Sequence, residues 1–163
     1  MAKPIDLTTI GIRFGYAFET VAGTKPSTFT NIYNPKSIPD LNSEPNTGDI
    51  TSLNDTEYTR YTALLKDLGG ALGFTVGMSK ETLSQWNDTV CATTETNKAT
   101  GKRTWFVLYH PGLDKSFFFT GDPSKLGFPS ADVNQVWDAT LYVAPTGEIG
   151  WGTAINPTDP VSA

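Results

Sequence analysis

Residues 102–120 read KRTWFVLYHPGLDKSFFFT, and this stretch decides the fold class. Trp105, Val107 and Tyr109 alternate with Phe106 and Leu108, so an extended segment here carries apolar side chains on both faces. A strand that is apolar on both sides belongs in the middle of a sheet, covered from above and below. Pro111-Gly112-Leu113-Asp114 supplies turn residues, and residues 115–120 return as the hairpin partner.

Upstream, Ile10, Ile12, Phe14, Tyr16 and Phe18 alternate with Gly11, Arg13, Gly15, Ala17 and Glu19. That period of two predicts a long strand with one apolar face and one small, polar face. Residues 28–33 (TFTNIY) favour a second strand on β-branched and aromatic content. Downstream, residues 136–144 predict a strand with Trp137, Ala139, Leu141 and Val143 on one side. Pro145-Thr146-Gly147 reads as a turn, and residues 148–153 (EIGWGT) as the closing strand. Gly121 to Asn134 reads as a polar loop.

Between these strands lie two segments of different character. Residues 34–49 (NPKSIPDLNSEPNTGD) hold Pro35, Pro39 and Pro45 and little apolar content, which argues against a helix interior or a central strand. The expectation is a projecting loop of functional use, running over 34–55. Residues 50–76 (ITSLNDTEYTRYTALLKDLGGALGFTV) follow it. Tyr58, Tyr61, Leu65 and Leu68 fall at helical spacing, with Asp55 as a candidate cap and Gly69 as a stop, while threonines between 51 and 62 argue for extended chain. One or two helical turns are expected there. A full helix is expected from Ser79 to about Thr94: Ser79 caps, Glu81 sits in the first turn, and Leu83, Trp86 and Val90 form the buried stripe. Many short strands, one flanking helix and long loops predict a mainly β chain, a β-sandwich or barrel.

At 163 residues the sequence fits a single domain, 1–163, with arms at 1–9 and 154–163. Seventeen acids against twelve bases give a net charge of −5, which disfavours a phosphate-binding surface. After Lys125 only Asp132, Asp138, Glu148 and Asp159 carry charge. Such an acidic end reads first as a solvated surface. No signal peptide and no apolar run long enough to span a bilayer are evident, so no membrane partner is expected.

The chemistry-bearing residues are sparse. His110 is the single histidine and Cys91 the single cysteine, which limits triads, metal sites and disulfides from the start. His110 stands beside Pro111 at a strand end, and Cys91 lies far from the helix N-terminus that would activate a thiol. Asp49 with Asp55, and Asp132 with Asp138, are carboxylate pairs by spacing alone. Residues 40–44 (DLNSE) with Asn54-Asp55 offer oxygen ligands but depart from the EF-hand pattern. The glycines at 69, 70 and 73 form no phosphate-binding loop. The expectation is no enzyme, no cofactor and no metal.

The order of motifs resembles the major tail-tube proteins of long-tailed, non-contractile bacteriophages. An N-terminal strand and an aromatic strand lead to an Ile-Pro loop (Ser37-Ile38-Pro39-Asp40-Leu41), and then to Thr51, Leu53, Asp55 and Tyr58. A Leu-x-Asp-x-Gly element follows (Leu65, Asp67, Gly69), then the helix from Ser79, the hairpin, a Gly-Phe-Pro-Ser loop at 127–130 and the Pro-Thr-Gly-Glu-Ile-Gly-Trp end. Leu64 stands where many members have glycine. The resemblance spans nearly the whole chain. It implies a tail-tube fold and a structural virion subunit that forms stacked homo-hexameric rings, a homo-polymer with a hollow bore. Genome DNA would pass through that bore without specific binding. Tail terminator, tape measure and distal-tail proteins would be partners, and the site would be the virion tail, assembled in the bacterial host cytoplasm. Pro35, Ile38, Pro39, Asp40, Leu41, Thr51, Leu53 and Asp55 are the candidates for contact between rings. Asp138 and Glu148 are candidates for lining the lumen, where acidic charge would repel phosphate. The alternatives are a related ring-forming tail terminator or type VI secretion tube subunit, and a monomeric β-sandwich binding module, for example one that stacks sugar on Trp151.

Overall fold

The computed structural model describes residues 3–160, so the outermost residues of both predicted arms lie outside the described residues. Among the described residues nine strands run in chain order as β1 (Arg13–Phe18), β2 (Thr30–Asn31), β3 (Pro35–Ser37), β4 (Pro45–Asp49), β5 (Tyr61–Lys66), β6 (Leu72–Gly77), β7 (Thr104–Tyr109), β8 (Lys115–Pro123) and β9 (Asp138–Thr153). Seven of them form an antiparallel sheet in the order β2-β1-β7-β8-β9-β6-β3, and β4 and β5 form a separate hairpin. The fold is mainly β, a sheet curled into a half-barrel with one flanking helix.

The curl can be read from a single contact. In the sheet order β1 and β6 stand four places apart, roughly 19 Å in a flat sheet. Yet the rings of Phe14 on β1 and Phe74 on β6 stack with centroids 4.3 Å apart. Aromatic side chains therefore meet across the concave face, and Phe106 and Phe119 continue the stack at 5.3 Å. Leu72, Val76, Ala139, Leu141 and Val143 complete this core. A smaller cluster of Ala17, Phe29, Trp105, Val107 and Phe118, with Ile155 against it, covers part of the opposite face. β7 is thus buried on both faces, as its composition predicts.

The helix plugs the concave side. Ser79 Oγ accepts the Thr82 N–H at 3.1 Å, which caps the first turn. The chain is α-helical over Lys80–Leu83 (α1), π-helical over Ser84–Cys91 and α-helical again over Ala92–Lys98 (α2). The wide middle turns shift the buried stripe from the predicted Leu83, Trp86, Val90 to Thr82, Trp86, Val90 and Thr94, leaving Leu83 exposed. Three consecutive side chains of this segment reach three backbone sites. Gln85 bridges Asn31 and Tyr33. The Trp86 indole donates to the Ser124 carbonyl at 2.7 Å, and Asn87 brackets Leu126.

Five expectations need correction. The first strand starts at Arg13, not Ile10, because Gly11 takes a positive φ of 92° and turns the chain away, leaving Ile10 and Ile12 exposed. Its second face is buried as well: a Cβ on Gly15 would come within 2.8 Å of Pro157. The 34–49 segment is not free of strands, since β3 and β4 lie in it, with Pro35 and Pro45 at strand starts where a missing N–H is tolerated. The helical turns expected over 55–68 are absent; β5 is extended, in keeping with its threonine and tyrosine content.

Finally, Pro145-Thr146-Gly147 makes no turn. β9 runs through it as one strand of 16 residues with a register shift opposite Phe119 and Gly121. Gly121 permits that bulge, because a Cβ there would overlap Val143 Cγ1 and lie 3.4 Å from Phe106. We expect Gly121→Ala to cost about 1–3 kcal/mol through overpacking, read as a lower urea midpoint at unchanged slope.

Candidate assembly surface

The predicted ring-contact residues fall in three environments. Pro35 lies in β3 at the outer edge of the seven-stranded sheet. Ile38 and Leu41 are half-buried against the main core, with Pro39 between them, and so anchor the segment where exposure was expected. Asp40 accepts the Asn42 N–H at 2.8 Å, a local turn that shows no ligand geometry. Thr51, Leu53 and Asp55 sit at the tip of the β4–β5 hairpin.

That tip is well ordered by its own polar groups. Arg60 N–H donates to Thr51 Oγ1 at 2.8 Å, and Thr51 N–H donates to Asp49 Oδ1 at 2.8 Å. Asp55 accepts the Ser52 N–H and pairs with the Arg60 guanidinium, both at 2.9 Å. Hydrogen bonds from Thr51 hold the Asp49 carboxyl below its ordinary range, and Ser52 N–H and Arg60 do the same for Asp55. Asp49 and Asp55 are thus each engaged by their own neighbours, and Asp138 meets Lys36 at 2.6 Å.

The hairpin's apolar groups have no such partners. Every residue of β5 is exposed, and β4 and β5 pack on each other without substantial contact to another strand or helix among the described residues. Leu64 lies over Gly48, at 3.4 Å from where a Cβ would be, so the departure from glycine at position 64 is accommodated by a glycine across the ladder. Leu53 is fully exposed, Leu65 is 86% exposed and Tyr58 79% exposed. A two-stranded ribbon is marginal in water, and one that presents leucines and tyrosines calls for a covering surface. The sequence signal for an extended segment, the threonines between 51 and 62, competes with the helical spacing of Tyr58, Tyr61, Leu65 and Leu68.

Two further apolar patches stand apart from the hairpin. The arm before β1 exposes Ile5, Leu7 and Ile10. His110 holds it: Nδ1 accepts the Gly112 N–H at 2.9 Å, which leaves Nε2 to donate to the Thr8 carbonyl at 2.6 Å. The 124–137 loop exposes Phe128, Val133 and Val136. It is braced by Trp86, Asn87, and the Trp137 indole donating to Ser130 at 3.2 Å.

Asp138 and Glu148 both lie on the sheet face turned away from the helix. Asp138 alternates with the core residue Ala139, and Glu148 sits beside Lys25, Trp105 and Phe118. Both are paired, Asp138 with Lys36 and Glu148 with Arg103 at 3.3 Å, so their charge is locally offset. Arg103 also grips Glu19, which no sequence pattern singled out. Burial disfavours the Glu19 charge, but the Trp105 indole, the Arg103 N–H and guanidinium, and the Gly23 N–H more than compensate and hold its pKa at about 2. Cys91 is buried, and desolvation pushes its thiol up to about 11, an unreactive state at neutral pH. Trp151 is 60% exposed and meets Phe117 edge-on, with centroids 5.4 Å apart.

No protein-family profile matches the chain. No curated protein sequence matches it either. Among solved structures, the fold is shared with a chain of the anti-feeding prophage baseplate, determined by cryo-electron microscopy with 6-fold symmetrisation. The TM-score is 0.57 at 12% identity, over 94% of this chain and 98% of that one.

Proposed function

We propose that the chain is a non-enzymatic structural subunit of a phage-tail-type assembly, and within that class a tube protein that forms stacked hexameric rings. The observation that carries this reading is the β4–β5 hairpin, an ordered ribbon of exposed leucine and tyrosine that is uncovered among the described residues. Three separate apolar patches on one chain favour heterologous contacts, in which one patch meets a different patch on the next copy. Such contacts close into rings or run into filaments. The fold shared with a chain of a 6-fold symmetrised baseplate supports the tail-type class, and the motif order of the sequence supports the tube within it.

In this reading the hairpin bridges successive rings, with Thr51, Leu53 and Asp55 at the contact. The face bearing Asp138 and Glu148 turns to the bore. Their pairing with Lys36 and Arg103 makes that face one of mixed charge, low in net attraction for DNA. Tail terminator, tape measure and distal-tail proteins would meet the ends of the tube or its bore, and the virion tail would be its location.

Negative-stain microscopy of the concentrated protein tests the reading. Stacked rings or tubes are expected. Single rings that never stack would indicate a terminator-type subunit instead. A monomer that binds glycans would favour the second reading, a sugar-binding β module, for which the exposed Trp151 is the motivating observation.

A further inference from the structure

The curled sheet has two lateral edges, and the chain protects them by different means. At β3, Pro35 offers no N–H, Lys36 brings charge, and the register shifts between Pro35 and Ser37. These features are built into the strand and persist in any state. The β2 edge has none of them. Its outward backbone groups are the Phe29 carbonyl and the N–H and carbonyl of Asn31; Gln85 Nε2 donates to the Asn31 carbonyl at 2.8 Å, and the C-terminal segment takes the other two. Asn31 N–H donates to the Thr158 carbonyl at 2.7 Å, and Thr158 N–H donates to the Phe29 carbonyl at 3.0 Å. The pairing is a lone parallel bridge between Thr30 and Thr158, with no second ladder pair beside it.

The segment divides into an anchored part and a loosely held part. Ile155 packs in the second core, and its N–H donates to Ser116 Oγ at 3.1 Å. Pro157 is buried over Gly15, and the Arg13 guanidinium donates to Asn156 Oδ1 and the Pro157 carbonyl, each at 3.2 Å. Beyond Pro157 the side chains of Thr158 and Asp159 are exposed, and the hold is by hydrogen bonds, including Asn31 Nδ2 to Asp159 Oδ1 at 2.9 Å. The outer residues can leave while Ile155 and Pro157 stay seated.

A second observation points at the same place. Asn31 Oδ1 is buried and has no hydrogen-bond partner among the described residues. It adjoins an open cleft of about 490 Å³ lined by Arg13, Tyr33, Asn34 and Asp159. A buried acceptor without a donor is a cost the folded chain carries, and an arriving N–H group would relieve it.

We infer that residues 158–160 are a removable guard on the β2 edge. In the free subunit the guard occupies the Phe29 carbonyl and the Asn31 N–H. When it peels back, an extended segment of a second copy pairs with those same groups and supplies a donor to Asn31 Oδ1. The inference rests on the proposed self-assembly and adds to it a brake on premature association.

The test compares three chains by sedimentation velocity over a concentration series: the parent, a chain ended after Pro157, and full-length Thr158→Pro, which loses the donor to Phe29. Both variants are expected to associate at concentrations at least tenfold below the parent. Near-ultraviolet circular dichroism verifies the folded core, and if the shortened chain unfolds, Thr158→Pro carries the test alone. Association equal to or weaker than the parent's overturns the guard. A parent that assembles while the variants stay monomeric sinks the guard and leaves the proposed function standing. A set in which none associates counts against both.

Discussion

Replacing Leu53 and Leu65 together with aspartate is expected to abolish tubes, leaving at most unstacked rings, with the folded subunit intact. Both side chains are exposed and touch no core residue, so the stability change should stay within about 0.5 kcal/mol. At an interface the same residues act as anchors, and burial of each is worth roughly 1.5–3 kcal/mol. Their loss, with two charges to desolvate, should weaken each contact by at least about a hundredfold, and every copy in a ring repeats that deficit. Electron microscopy and a thermal melt on the same sample separate the two effects. Normal tubes from the double variant would remove the hairpin from the contact.

The second large effect concerns Glu19. Its carboxylate is fully buried, and its pKa falls from 4.5 to about 2 on folding. A carboxyl whose folded pKa is depressed adds stability that is fully present above 4.5 and is lost as pH falls from 4.5 toward 2. Linkage at about 1.4 kcal/mol per pH unit makes this contribution about 3 kcal/mol at neutral pH. Glu19→Gln should therefore lower stability by about that amount at pH 7. Near pH 2 parent and variant should converge. Urea unfolding across pH 2–7 reads both values; a gap that is constant with pH would assign the loss to packing and hydrogen bonds instead of charge.

What could be read in the sequence was local. The residues of β7 and β8 alternate over a few positions around a Pro-Gly turn, so composition alone identified the hairpin, and Ser79 with Glu81 identified the start of the helix. The features that escaped depend on distant partners. Glu19 lies at the end of the first strand and reads as its polar face, because the groups that bury its charge are Arg103 and Trp105, 84 and 86 residues away. β9 appeared as two strands because Pro145 and Gly147 carry turn chemistry, whereas in the sheet Pro145 pairs with Gly121 and Gly147 lies in the bulge opposite Thr120. Tyr58, Tyr61, Leu65 and Leu68 have helical spacing, but only Leu68 packs against the core while Tyr58, Tyr61 and Leu65 are exposed, and the pairing with β4 prevails. Leu83 fell out of the predicted stripe because the middle of the helix is π-wound, a winding that the side-chain pattern did not announce.

The candidate surface shows the same division. Thr51, Leu53 and Asp55 were picked out by motif order and do lie together at a projecting tip. Ile38 and Leu41 came from the same motif and instead pack against the core, since a segment entering a hairpin needs apolar residues to fix its base. Asp138 and Glu148 share a face, but Lys36 and Arg103, which arrive from other parts of the chain, decide their charge balance.

Cryo-electron microscopy of the polymer formed by the concentrated chain tests the central claim most directly. The account predicts stacked rings of six subunits with Leu53 and Leu65 of each hairpin buried against the next ring. Assemblies in which the hairpins remain in solvent, or a glycan-binding chain that never polymerises, would contradict it.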